Sequence, residues 1–266
     1  MHSPAAPLSY APTLCGIVGL MMKRIGLIGG MSWESTAVYY RRLNEQVRAA
    51  LGGLSSADIV LRSVNFSEIV ALQKAGDWAA AARALGQVAR ELEQAGADMV
   101  LICTNTMHLL AEEVQARVGI PLIHIADVTG AAVREAACRR PLLLATQYTM
   151  EKEFYRHRME ERFGLDVLIP EAEERRQVHD IIFSELCCGI VRPESKQRYI
   201  DIVAKGRAAG ADSVILGCTE IGLLVSAEDF SFPTFDSTLL HADAAVRLSL
   251  GETTAATPAE LAPLMH

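Results

Sequence analysis

The chain reads as an α/β protein made of two pseudo-symmetric domains, each an αβα arrangement on a parallel sheet, with the functional cleft between them. Three observations point there. A stretch recurs without a gap: AGADMVLICTNTMHLL from Ala95 to Leu110 superposes on AGADSVILGCTEIGLL from Ala209 to Leu224 under a shift of 114 positions. Short apolar strands alternate with amphipathic helices that single glycines stop, the pattern of βα units on a sheet covered on both faces. Each copy of the repeat also runs from an apolar strand into a polar cluster, and function in open α/β sheets gathers at the carboxyl ends of strands. Under the shift Thr104 falls on Cys218, Asn105 on Thr219, Thr106 on Glu220 and Cys103 on Gly217. A pseudo-two-fold between the halves then sets Thr104 and Cys218 facing each other.

Composition narrows the classes. The chain has 266 residues, half of them apolar, which suffices for two cores. No apolar run reaches the roughly 18 to 20 residues that a helical membrane span needs, so a soluble cytoplasmic protein is expected. A net charge of -7 and a pI near 5.5 argue against nucleic acid as a partner, because phosphate backbones select a basic face. Six cysteines without a CxxC spacing suggest free thiols rather than a disulfide framework.

Taken in order, residues 1–21 carry prolines and small residues and lack a basic leader region. They are expected to be a disordered extension, with Met21 or Met22 as the functional start and no role for Cys15. RIGLIGGM from Arg24 is a buried strand entering a glycine turn, and Ser32 caps a helix to about Leu51 that Gly52 and Gly53 stop. The turn Gly29-Gly30-Met31-Ser32 is either an anion-binding loop or a tight strand-to-helix turn, and it is not the GxGxxG of a dinucleotide site. Asp58 to Phe66 is a second strand, and Asp77 caps a long helix that Gly96 ends. The first repeat strand follows, then a helix to about Val118 and a short strand from Pro121 to Ile125. Asp127 opens the second half with a helix. Next come a strand at Pro141 to Thr146, a charged helix at Thr149 to Phe163, a strand at Leu165 to Ile169 and a helix at Glu171 to Cys188. Pro193 starts another helix before the second repeat strand, Ser213 to Gly217. FPTFDSTLLHADAAV then echoes IPLIHIADVTGAAV, so the last helix, about Thr238 to Leu250, is expected to return to the first domain. The expected domains are 22–126 with 233–251, and 127–232, leaving 252–266 as a loose tail.

A thiol and a hydroxyl delivered from opposite halves suit a reaction with proton transfer on both faces of one carbon, which is racemisation or epimerisation. Backbone amides and hydroxyls around a carboxylate would stabilise the enolate-like charge that develops. IGLIGGMSWEST, CTNTMH, LGCTEIGLL and FDSTLLHA together resemble the aspartate/glutamate racemase family, and within it the bacterial amino-acid racemase branch. The resemblance covers about Lys23 to Leu250. It implies an interdomain active site, an amino-acid substrate, no pyridoxal phosphate, no metal and a homodimer. Hydantoin racemases, maleate isomerases and arylmalonate decarboxylases resemble the same scaffold. A catalytically inert amino-acid sensor and a dinucleotide oxidoreductase are the remaining alternatives.

One position departs from the family pattern. Its first motif is usually Cys-Asn-Thr, whereas Thr104 precedes Asn105 here and Cys103 stands one place earlier. Neighbouring strand residues face opposite ways, so Cys103 is expected in the core and Thr104 in the catalytic slot. Cys218 is the expected base toward the L-amino acid, and Thr104 the group that donates or relays a proton on the other side. The resemblance assigns substrate contacts to Met31, Gln73, Asn105, Thr106, Thr219 and Glu220, with Asn105 and Thr106 on the carboxylate. Glu220 could tune Cys218 or hold the ammonium group. His108 reads as a helix-start hydrogen bonder, His241 is open between that role and a base, and His124 and His179 read as structural. The family lysine that holds a side-chain carboxylate is replaced by cysteines in Leu186-Cys187-Cys188-Gly189, which leaves Arg175 or Arg176 as candidates.

Overall fold

A computed structural model describes residues 22–251; the readings for residues 1–21 and 252–266 lie outside the described residues. The elements in order are β1 (Ile25–Gly29), α1 (Trp33–Leu51), β2 (Ile59–Ser63), α2 (Phe66–Ala75), α3 (Trp78–Gln94), β3 (Met99–Ile102), α4 (Ala111–Gln115) and α5 (Ile125–Glu135). They continue with β4 (Pro141–Leu144), α6 (Gln147–Glu151), α7 (Glu153–Phe163), α8 (Ala172–Ser184), α9 (Pro193–Ala208), β5 (Ser213–Leu216), β6 (Thr234–Asp236) and α10 (Ser237–Ser249). Two parallel sheets result, ordered β2-β1-β3 and β4-β5-β6. Single bridges extend each: Val100 to Leu122 beside β3, and Leu142 to Leu168 beside β4. The sheets therefore repeat one plan, since Leu122 stands by β3 as Thr234 stands by β5, and Leu168 by β4 as Val60 stands by β1.

Local chemistry explains the element ends. The Ser32 side chain accepts the Ser35 N–H at the start of α1, Asp77 accepts from Ala80 at α3, and Pro193 occupies the first turn of α9. Gly30 has φ 88°, and a β-carbon there would collide with the Val64 backbone, so only glycine lets the chain turn from β1 into the polar loop.

The strands alternate between two apolar faces. Ile25, Leu27, Met99, Leu101 and Cys103 join Tyr39, Leu43 and Val47 of α1 and Ala242, Ala245 and Val246 of α10 in one cluster. Ile28, Val100 and Ile102 turn to the other, with Leu85, Leu92 and Val114. Cys103 thus continues the Met99, Leu101 alternation into the core. A third cluster surrounds β4 and β5 and includes Ile125, Ala126 and Val133 of α5. α10 also clamps onto α1 through a paired contact of Arg42 with Asp243, and Ser249 bonds Lys23 through backbone and side chain.

Several expected boundaries shift. Pro121 to Ile125 and Leu165 to Ile169 supply one bridge each rather than full strands, because a proline beside each run and early helix starts leave little chain to pair. His124, whose Nδ1 accepts the Ala126 N–H, starts α5, so Asp127 lies inside its first turn. There it is buried and receives Arg158 and Arg162, tying α5 to α7. The charged helix breaks at Lys152, which is extended, and α8 stops at Ser184 before a 3₁₀ turn at Leu186–Cys188. Among the described residues no helix is long and apolar enough to cross a membrane, and all five described cysteines are free.

Candidate active site

The carboxyl ends of the two sheets meet, and three sets of hydrogen bonds cross between them. From the first sheet, Ser32 Oγ donates to Glu220 Oε1 at 2.7 Å, and Ser35 Oγ to Thr219 Oγ1 at 2.6 Å. In the same direction, Asn105 Nδ2 donates to Ser237 Oγ at 3.1 Å, and Ser237 Oγ passes its own hydrogen to the Leu216 carbonyl at 2.8 Å. Thr106 Oγ1 meets Thr146 Oγ1 at 2.9 Å and Thr149 Oγ1 at 3.1 Å, closing a triangle of hydroxyls.

Around Glu220 the chemistry is dense. This carboxylate is only 3 % exposed. Its Oε2 accepts Cys218 Sγ–H at 3.0 Å and Thr219 Oγ–H at 2.6 Å, while Oε1 also accepts Cys187 Sγ–H at 3.6 Å. No cation is among these partners, so hydroxyls and thiols alone offset a buried charge. The effect on Cys218 is large. Burial first, and then the neighbouring Glu220 and Cys187, hold its thiol well above the ordinary range. Cys218 therefore rests protonated, with its hydrogen directed at Glu220.

The turn after β3 is built differently. Cys103 is fully buried and burial alone raises its thiol, whereas Thr104 is half-buried at the strand tip. The register expected from strand alternation holds for Cys103, and Gly217 explains why its counterpart needs glycine: a β-carbon there would sit 2.6 Å from a Leu143 methyl. His108 Nδ1 bonds the Thr104 carbonyl at 2.8 Å, so this nitrogen carries the proton, and Nε2 accepts the Ile125 N–H at 3.2 Å. Burial lowers His108 to about 4. His241 bridges the Ile123 carbonyl and the Tyr39 hydroxyl, both at 2.8 Å, and burial followed by His108 lowers it to about 3. Both are neutral supports with neither nitrogen spare for base chemistry.

Asn105 is 2 % exposed and its orientation is determined. Ser237 gives its only hydrogen to Leu216, so it must accept from Asn105 Nδ2. That leaves Asn105 Oδ1 buried without a hydrogen-bond partner among the described residues. Gln73 is buried on α2 and donates to Met107 Sδ at 3.0 Å, just beneath this turn. The Met31 side chain lies in the apolar cluster with Ile28 and Met107, away from the polar network. Arg175 and Arg176 are engaged with Glu151 and Glu173. His179 accepts the Gln147 N–H, and His124 caps its helix.

Sequence reading passed over Ser35, Thr146, Thr149, Ser237 and Cys187. Thr146 closely follows an apolar strand, so the strand-end rule that selected Thr104 would have selected it too. The rest are recruited by contacts distant in sequence. No group of three or more His, Cys, Asp or Glu suited to a metal ion occurs among the described residues.

Two parallel sheets thus bring hydroxyl, thiol and carboxylate groups together where their carboxyl ends meet, in an α/β protein. Known proteins make this specific. The family model of Asp/Glu/Hydantoin racemase matches residues 28–245. A crystal structure of a candidate Asp/Glu racemase from Yersinia pestis is 48 % identical, with a TM-score of 0.81, covering 86 % of this chain and 100 % of that one. The aspartate racemase homologue PH1733 from Pyrococcus horikoshii OT3 is 34 % identical, with a TM-score of 0.76, covering 86 % and 99 %. The broad specificity amino-acid racemase RacX of Bacillus subtilis is 20 % identical over 84 % of this chain and 96 % of its own length. The chain belongs to the Asp/Glu/hydantoin racemase family and is an isomerase of the racemase kind.

Proposed function

We propose that the protein interconverts L- and D-amino acids without pyridoxal phosphate or metal, by proton transfer on both faces of Cα, with Cys218 and Thr104 as the two groups. Aspartate, glutamate and small polar amino acids such as homoserine are the first candidates. The observation that carries this reading is the Cys218–Glu220 pair at the junction of the two sheets. A thiolate 3.0 Å from a carboxylate costs on the order of 5 kcal/mol at an effective dielectric constant of about 20. Passing the resting Cys218 proton to Glu220 Oε2, the nearest acceptor, avoids that cost, because the pair keeps a single negative charge, and it leaves Cys218 as the base. Cys218 then takes the Cα proton of the L-enantiomer, and Thr104 relays a proton from water to the opposite face.

Asn105 Oδ1 supports one orientation of the substrate. A buried unsatisfied acceptor costs about 1–3 kcal/mol, and an ammonium N–H is the donor that an amino acid supplies. Asn105 therefore takes the ammonium group, which leaves the Thr106, Thr146 and Thr149 hydroxyls for the carboxylate. This departs from the carboxylate role that family resemblance gives Asn105. Glu220 already accepts from four donors, Ser32, Cys187, Cys218 and Thr219, which favours its tuning of Cys218 over direct contact with the ammonium.

Solvent deuterium incorporation, measured separately from each enantiomer, tests the mechanism. Exchange should be unequal, because a threonine hydroxyl is a far weaker base than a thiolate. Equal rates in the wild type would refute the asymmetry. Loss of activity in Cys103→Ala but not in Thr104→Ala would refute the assignment of Thr104. Activity should persist after treatment with hydroxylamine and a chelator. The quaternary state proposed is a soluble cytoplasmic homodimer, checked by light scattering.

A further inference from the structure

We propose that the cavity of about 170 Å³ between α2, α6 and α8 receives the substrate's side chain, and that it takes an uncharged, mainly apolar group up to the size of a benzene ring. Val70, Gln73, Lys74, Tyr148, His179 and Phe183 line it. The inference rests on the racemase reading above and narrows its candidate substrates, setting uncharged side chains ahead of aspartate and glutamate.

Position comes first. Gln73 forms a wall of the cavity and donates to Met107, two residues beyond Asn105. Tyr148 lines the cavity too and lies between Thr146 and Thr149, whose hydroxyls touch Thr106. The cavity thus borders the turn that carries Asn105 and Thr106. Its walls come from both sheets' helices, and ring pairs close the seam: Phe66 on Phe183, Trp78 against Tyr148, and Tyr148 against His179.

Chemistry selects the occupant. The lining is almost wholly apolar. His179 accepts a backbone N–H at Nδ1, and burial lowers its pKa, so the ring is neutral at pH 7. Arg175 and Arg176 are held by glutamates, and Lys74 is exposed, where solvent screens it. A second substrate carboxylate would lose its water here without a buried cation to replace it. An apolar side chain instead gains about fourfold in binding for each methylene buried. Size agrees, since an apolar cavity of about 150 Å³ in another protein holds benzene.

The test is Cα–H exchange in deuterated water with L-alanine, L-methionine, L-phenylalanine and L-aspartate, followed by proton NMR. Wild type should exchange methionine at least about tenfold more efficiently than aspartate. Val70→Phe, which fills the cavity, should lower the methionine-to-alanine ratio of kcat/KM about tenfold. Phe183→Ala, which widens it, should raise the phenylalanine-to-alanine ratio by a similar factor. Melting curves confirm that each variant is folded. Unchanged ratios in folded variants that still exchange alanine overturn the subsite alone. Faster exchange of aspartate than methionine by wild type overturns the uncharged class. Exchange of no amino acid at all overturns the racemase reading, and the subsite with it.

Discussion

The two repeat turns share a sequence register and part company in their bonding. After β5, a buried carboxylate gathers two thiols and two hydroxyls, and each of its oxygens is occupied. After β3, the equivalent place holds Thr106 among hydroxyls, and the neighbouring Asn105 keeps an acceptor without a donor. The support beneath differs as well. His108 braces the first turn through two hydrogen bonds, whereas its counterpart under the 114-residue shift is Gly222, where a β-carbon would lie 2.7 Å from Asp236 Oδ2. Duplication supplied one frame twice. One copy holds a buried carboxylate among thiols and hydroxyls, and the other a cluster of hydroxyls and an amide held up by imidazole.

If this division of labour is correct, the second turn should be far more sensitive than the first. Cys218→Ala should lower kcat about 10³- to 10⁴-fold, as loss of a positioned acid or base does, whereas Cys103→Ala should leave kcat within a few-fold; both are read from Cα–H exchange. Glu220→Gln should lower kcat about 10²-fold and also move the Cys218 pKa downward. After burial, the Glu220 charge is the next cause that raises that thiol, so its removal makes thiolate form at lower pH. The pH profile of Cys218 alkylation by iodoacetamide should shift to the acid side, and an unshifted profile would show that the carboxylate does not control the thiol.

Acid should loosen the first turn selectively. His108 and His241 have folded pKa values of about 4 and about 3, below the unfolded value near 6.5. Their neutral forms therefore add stability that is complete above about pH 6.5 and is lost as pH falls toward those folded values, on the order of 2 kcal/mol each. Urea midpoints should drop between pH 7.5 and 4.5, and less so in a His108→Gln variant. The smallest effect belongs to Asn105→Leu. It should weaken binding of an amino acid about tenfold, the value of one hydrogen bond to a charged group, yet leave the matching des-amino acid unchanged. Isothermal titration of both ligands decides the point, and equal weakening would return Asn105 to the carboxylate.

These contrasts were only partly legible in the sequence. The repeat, the glycine stops and period-two alternation pointed to both sheets, the burial of Cys103 and the packing of the last helix on α1. Those are local signals, or signals that duplication states twice. The hydroxyl triangle was not legible, because Thr106 meets Thr146 and Thr149 across some 40 positions that no pattern links. The break at Lys152 was missed for a different reason: no glycine or proline marks it, and the backbone simply turns extended there. Nor did a serine three residues beyond a helix cap signal a bond to Thr219, since Ser35 reads equally well as an ordinary first-turn residue.

The clamp of α10 on β1 and α1 has a consequence for how the protein is made. Ala242, Ala245 and Val246 complete the core that Ile25 and Leu27 begin, and Ser249 holds Lys23. A nascent chain therefore exposes the amino-terminal lobe first and finishes it last. Its apolar face waits on the ribosome while the central stretch from β4 to β6 can already close, and a premature stop before the final helix would strand an open hydrophobic surface rather than yield a functional half.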